Sequence, residues 1–239
     1  MFKKTALIIN PCFIGESVSE LRGGAMDKKE ALNKIAEEIR KCKKCDLWKN
    51  RKNAVPGEGN PDAEIMFVGE APGFNEDLQG RPFVGVAGKL LTSLIMDKLG
   101  LERRQVFITN VVKCRPPNNR DPKQEEIEVC SPYLDEQVRI IKPKIIVTLG
   151  RHSTIYFLKK LGINVSGVSQ VRGKVFRGKL NDTKVIIIPT YHPAAALYNP
   201  RLRGILEKDF ELIKTILEEI KRDEKLFEIK QIRLDEFFT

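Results

Sequence analysis

Residues 69–88, GEAPGFNEDLQGRPFVGVAG, follow directly on the apolar run Ile65-Met66-Phe67-Val68. An apolar run this short, stopped by glycine, reads as a buried strand delivering a loop at its carboxyl end, the edge where open α/β sheets take their ligands. The loop carries three acids (Glu70, Glu76 and Asp77), an aromatic at Phe83, and five glycines that permit positive φ or close backbone approach. Such a composition suits a binding site, but on its own it is equally compatible with a plain connection.

Three more runs of the same kind lie further along. Residues 105–113 (QVFITNVVK) are β-branched with one amide, Asn110, beside Thr109; 145–149 end in Gly150; and 185–188 lead into Pro189-Thr190-Tyr191-His192-Pro193. Between them fall helical patterns at 27–41, 89–99, 122–142, 151–161 and about 200–220, and 168–180 alternates apolar and basic residues like an exposed hairpin. Strands separated by helices predict a three-layer, doubly wound α/β sandwich around a central four-stranded, mainly parallel sheet. Its strand ends would gather the loop at 69, Asn110, the Gly150-Arg151-His152 turn and His192 on one edge.

The 239 residues hold 42 Lys and Arg against 32 Asp and Glu, a formal charge of +10, which favours a polyanionic partner, DNA or RNA before a membrane. No apolar run approaches the roughly 20 residues that cross a bilayer, and no signal-peptide core follows Lys3-Lys4, so a cytoplasmic, nucleoid-associated monomer is expected. Residues 1–25 read as a poorly ordered extension or an over-called start, 26–220 as one domain and 221–239 as a charged tail. Of the five cysteines, Cys42 and Cys45 form a C-x2-C pair, and Cys114 and Cys130 flank Pro116-Pro117 and Pro122. Two thiolates on a tight turn converge on one metal centre and two more complete a tetrahedral set. Zinc ribbons present two close pairs; the spread second pair suits an iron–sulfur cluster better, with four buried thiols as the alternative. Cys12 has no assignment.

Taken together, GEAPGFNED at 69–77, RPFVGVAG at 81–88, ITNVVKCRPPNNRDP at 108–122, IIVTLG at 145–150 and YHPAAAL at 191–197, with the cysteine set, resemble the family 4 uracil-DNA glycosylases, the iron–sulfur members of archaea and bacteria. The resemblance covers about residues 27–220. It implies hydrolysis of the N-glycosidic bond of uracil flipped out of DNA, leaving an abasic site. By motif position Phe83 would stack on uracil, Asn110 would pair with its O4 and N3 edge, and the loop at Ala71 and Pro72 would hold O2 and ribose-side groups. Glu70 and Glu76 would position base and water, and His192 would stabilise negative charge on O2. A 4Fe–4S cluster on Cys42, Cys45, Cys114 and Cys130 would pin the DNA-facing loop, with Arg115, Arg120, Arg201 and Arg203 on phosphates. Where family 1 reads Gln-Asp this chain has Glu70-Ala71, and Gly73 replaces the tyrosine that screens out thymine, so Glu70 is the candidate base and Glu76 the candidate screen. His152 is assigned no more than a structural or phosphate-facing place. A relative acting on hypoxanthine or xanthine, and a non-catalytic nucleic-acid-binding module, are the alternatives.

The tail lies outside that resemblance. Gln231-Ile232-Arg233-Leu234-Asp235-Glu236-Phe237-Phe238 is similar to the peptide with which repair proteins bind sliding clamps. One helical turn would place Leu234, Phe237 and Phe238 on one face as an anchor, with Gln231 in a polar pocket.

Overall fold

A computed structural model describes residues 27–181 and 183–235, with 224–235 as helix path only. Six strands, β1 (Glu58–Gly59), β2 (Ile65–Gly69), β3 (Phe107–Asn110), β4 (Ile145–Leu149), β5 (Phe176–Leu180) and β6 (Thr183–Thr190), form one sheet in the order β1-β3-β2-β4-β6-β5. The four inner strands are parallel, as expected; two antiparallel edges, β1 on β3 and β5 on β6, widen the sheet beyond the expected four. The hairpin foreseen at 168–180 is confined to β5 and turns back on β6, while Val168–Gln170 is a single 3-10 turn. The strand expected at 105–113 is shorter, Phe107–Asn110; beyond it Val111 and Val112 still donate to the carbonyls of Gly69 and Glu70, and the Lys113 amide turns away to a cysteine sulfur.

Strand side chains alternate between two faces, and the core divides accordingly. Ile65, Phe67, Ile108, Val147 and Ile188 pack with α3 (Val86–Leu99) and α7 (Arg201–Asp235); Met66, Val68, Phe107, Ile146 and Ile187 pack with α4 (Gln124–Ile141) and α5 (Arg151–Lys160). Helices on both faces make the three layers. Phe67 stacks on Phe210 of α7 at 5.7 Å between centroids, and both are fully buried. Truncating either to Ala would cost about 3–5 kcal/mol.

The helix α1 (Lys28–Lys41) begins at Asp27, whose carboxylate accepts from Lys29 N, and buries Ile35 and Ile39 against α4 in a third, smaller cluster that includes Cys114 and Cys130. Cys130 sits in the second turn of α4. The last helix, expected to end near Ile220, continues unbroken to Asp235, because 221–235 lacks a glycine or proline to stop it. Gln231 and Leu234 thus lie on its backbone path, whereas residues 1–26, Cys12 among them, and Phe237 and Phe238 lie outside the described residues.

Candidate active site and cysteine cavity

In the inner order β3-β2-β4-β6 the chain first turns one way from β2 and later the other, so the switch point falls between the carboxyl ends of β2 and β4. A pocket of about 390 Å3 opens there, lined by Glu70, Ala71, Pro72, Glu76, Phe83, Asn110 and His192. All seven residues expected to hold a base are thus brought together. Pro116, Asn119 and Arg120 complete one wall.

Phe83 has a left-handed backbone, φ +50°, which is costly for an aromatic residue. Its surroundings over-determine it. Glu76, on the short helix α2 (Phe74–Gln79), accepts from Val84 N at 2.8 Å and Gly85 N at 2.9 Å. A Cβ on Gly88 would lie 1.9 Å from the Phe83 carbonyl oxygen, so only glycine lets α3 start against that loop. A Cβ on Gly69 would meet Asn110 Oδ1 at 2.4 Å and the Phe83 ring at 2.7 Å. Gly69 is what allows ring and amide to share one pocket. One oxygen of Glu76 is therefore committed to holding the Phe83 loop, a role its sequence position did not reveal.

Asn110 is 1 % exposed, and its Oδ1 is a buried side-chain oxygen without a hydrogen-bond partner. Buried amides normally find partners, so an orphaned acceptor facing a pocket marks a place for a ligand donor. Behind it, burial lowers the ammonium of Lys113 to about 7, and three oxygen acceptors surround that group.

His192 precedes the short helix α6 (Pro193–Tyr198), and its Nδ1 accepts from Ala194 N at 3.1 Å. An acceptor Nδ1 places the ring proton on Nε2. Burial, partly countered by Glu76, lowers its pKa to about 4, so the ring is neutral near pH 7 and still a donor. It stacks on Phe83 at 5.4 Å, and Gly150, at φ +93°, leaves room for it.

Glu70 has its carboxyl raised by burial and by Asp121, against the opposing pull of His152 and Arg151. His152 Nε2 lies 3.7 Å from Glu70 Oε2 and 3.4 Å from Asp121 Oδ2, a neighbourhood that sequence order hid because β4 ends far from residue 70 in the chain. These three ligand-type atoms lie within 4.8 Å of one another, but the guanidinium of Arg151 contacts Asp121 and comes within 3.1 Å of His152, so the cationic place is filled by protein. Of the expected phosphate contacts, Arg120 is engaged by both oxygens of Glu126 at 2.6 and 2.8 Å. Arg115 donates to Asn119 Oδ1 at 2.7 Å and lies over Phe74, while Arg201 and Arg203 are exposed beside Tyr198, itself 91 % exposed.

The four expected cysteines line a second, much tighter cavity of about 10 Å3, walled by Ile39, Trp48, Val129 and Tyr133. They arrive from the end of α1, the turn after it, the loop following β3, and α4. Burial raises the thiols of Cys45, Cys114 and Cys130, the last to about 12. Two sulfurs already accept N–H donors: Cys114 from Arg51 at 2.9 Å and Cys130 from Lys113 N at 3.2 Å. Donors of this kind orient and tune thiolate ligands. Arg51 had no signal in the sequence.

Residues 56–221 match the family model of the uracil DNA glycosylase superfamily. A type-4 uracil-DNA glycosylase of Sulfurisphaera tokodaii is 66% identical over 187 residues, covering 78% of this chain and 85% of that protein. Those of Saccharolobus solfataricus (62%, covering 78% of this chain and 86% of that protein) and Archaeoglobus fulgidus (52%, covering 77% and 92%) align over nearly the same span. The chain therefore belongs to the uracil-DNA glycosylase superfamily, in its type-4 branch.

Proposed function

We propose that this chain flips uracil out of DNA and hydrolyses its N-glycosidic bond at the strand-end pocket, leaving an abasic site. The observation that carries the reading is the buried Asn110 amide with its unpartnered Oδ1, beside an aromatic residue held in a left-handed backbone and a neutral histidine donor. Uracil offers an N3–H donor and an O4 acceptor, and one amide can accept from the first and donate to the second. Phe83 supplies a stacking face. As the C1′–N1 bond breaks, its electron pair leaves with the base and charge grows on O2; His192 Nε2–H stabilises it as a preorganised donor that gives up no proton. Water adds at C1′ and loses a proton to Glu70. Thymine is excluded by the wall of residues 70–76, with Glu76 fixing its position.

The four cysteines suit a 4Fe–4S cluster, which when bound supplies a cross-link between α1, α4 and the DNA-facing loop. Four thiolates on one zinc ion lie about 3.8 Å apart at a Zn–S distance of about 2.3 Å. Among the described residues, the set of ligand-type atoms within 4.8 Å of one another is Glu70, Asp121 and His152 and not the thiols, which favours the larger group. Arg115, Arg201 and Arg203 supply phosphate contacts beside the exposed Leu197 and Tyr198. In the tail, Gln231, Leu234, Phe237 and Phe238 form a sliding-clamp ligand that raises the local concentration of enzyme on DNA. Calorimetry with a trimeric clamp should show binding that Phe237→Ala/Phe238→Ala abolishes; equal affinity with and without the phenylalanines would remove the clamp from the account.

The test of the activity is cleavage, after alkali, of oligonucleotides carrying one uracil, hypoxanthine, xanthine or thymine. Uracil strands should be cut and thymine strands left intact. Release of hypoxanthine or xanthine at the uracil rate would replace uracil as the substrate, and no release of any base would leave a binding module.

A further inference from the structure

Lys113 lies between Asn110 and Cys114 in sequence and is 1 % exposed. Its ammonium donates to Thr109 Oγ1 at 2.7 Å, to the Asn110 backbone carbonyl at 2.8 Å and to Gln137 Oε1 at 2.8 Å. The neighbours fix these directions. Gln137 Nε2 donates to the Pro56 carbonyl at 2.7 Å, so Oε1 must face the lysine. The Thr109 hydroxyl donates to the same carbonyl at 3.0 Å, leaving its lone pairs for the ammonium. Three N–H donors thus meet three acceptors, the full complement of a charged lysine. No carboxylate is among these partners, and a buried cation without a counter-charge is costly. Methionine would fill the same space at no such cost.

The same residue reaches the cysteine cavity from its other end, where its backbone N–H donates to Cys130 Sγ at 3.2 Å. One side of Lys113 thus holds the carbonyl of the residue whose side-chain oxygen faces the pocket unpartnered, and the other holds a thiol of the cluster set. We infer that Lys113 is a positioning residue for base recognition: it clamps the Asn110 backbone from behind the pocket and couples that amide to the cysteine cavity through Cys130. The inference rests on the reading of Asn110 as the amide that pairs with uracil.

A double-mutant cycle separates this from a merely structural role, because a residue acting through another loses its effect when the other is gone. Lys113→Met, Asn110→Ala and the double variant would be compared for single-turnover excision from a uracil oligonucleotide, for binding of free uracil by calorimetry, and for visible absorbance. Lys113→Met should lower the rate and the uracil affinity about 10- to 100-fold, the range for a lost charged hydrogen bond. The same change in the Asn110→Ala background should alter either by less than about threefold. Equal losses in both backgrounds, or no loss in either, would overturn the inference. If Lys113→Met does not fold, Gln137→Leu, which removes one acceptor and leaves the lysine, enters the cycle with the same two outcomes. Should Asn110→Ala alone bind and excise uracil normally, the fault lies with the site reading and not with Lys113.

Discussion

In the strand-end pocket Asn110 Oδ1 is buried without a partner and Phe83 is held at φ +50°, whereas in the cysteine cavity Cys114 and Cys130 each already accept an N–H donor. Both regions draw on the segment after β3, so the contrast is one of design and not of location. A pocket that receives a passing base keeps unmet hydrogen-bonding capacity and strained backbone, which the surrounding fold sustains. A cavity for a resident group has its outer donors in place and its walls closed by apolar side chains. Carboxylates elsewhere follow the second pattern: Asp77 accepts from Lys52 N and Asn53 N, and Glu126 from Arg120 and Lys123 N.

That contrast can be broken by exchanging roles. Cys130→Ser should bleach the protein and lower Tm by at least about 4 °C, since each kcal/mol is worth about 2–4 °C at this size and a structural metal site contributes several. Native stability and colour in that variant would dismiss the cavity as a metal site. His192→Ala should reduce single-turnover excision about 10²- to 10³-fold with colour and Tm retained, the usual loss for one oxyanion-type donor. Phe83→Ala should weaken substrate binding by about 1–3 kcal/mol, the worth of a base–aromatic stack, and its effect should fall on KM more than on kcat.

The smallest effect is on acid stability. The native His192 ring stays neutral down to about 4, while an unfolded chain takes up its proton near about 6.5. The unfolded state therefore binds more protons in that window, and this residue removes stability as pH falls through it. His192→Ala should lose less Tm than the native chain between about pH 7 and about pH 5. An equal loss would argue against an imidazole that the fold keeps neutral.

Much of this was legible in the sequence. The inner strands announce themselves as short apolar runs ending in Gly69, Asn110, Gly150 and the segment before His192, and parallel pairing brings those ends to one edge. The edge strands were harder: β1 is only Glu58–Gly59, and β5 carries Arg177 and Lys179 outward, so neither has an apolar run. Lys113 was hidden because a lysine beside Cys114-Arg115 reads as surface, and one of its three acceptors, Gln137, lies on another element. The ion pair of Arg120 with Glu126 was equally hidden, since Glu126 lies on the helix beyond Pro122. His152 met Glu70 only through the crossing from β2 to β4. These are polar contacts made across turns or between elements, which periodicity does not encode.

Asn110→Ala tests the central claim most directly, because it removes the one unmet amide of the pocket without touching a cysteine. Single-turnover excision of uracil from a short oligonucleotide should fall about 10²- to 10³-fold while visible absorbance and Tm stay native. Excision at the native rate by a variant with native colour and stability would contradict the account.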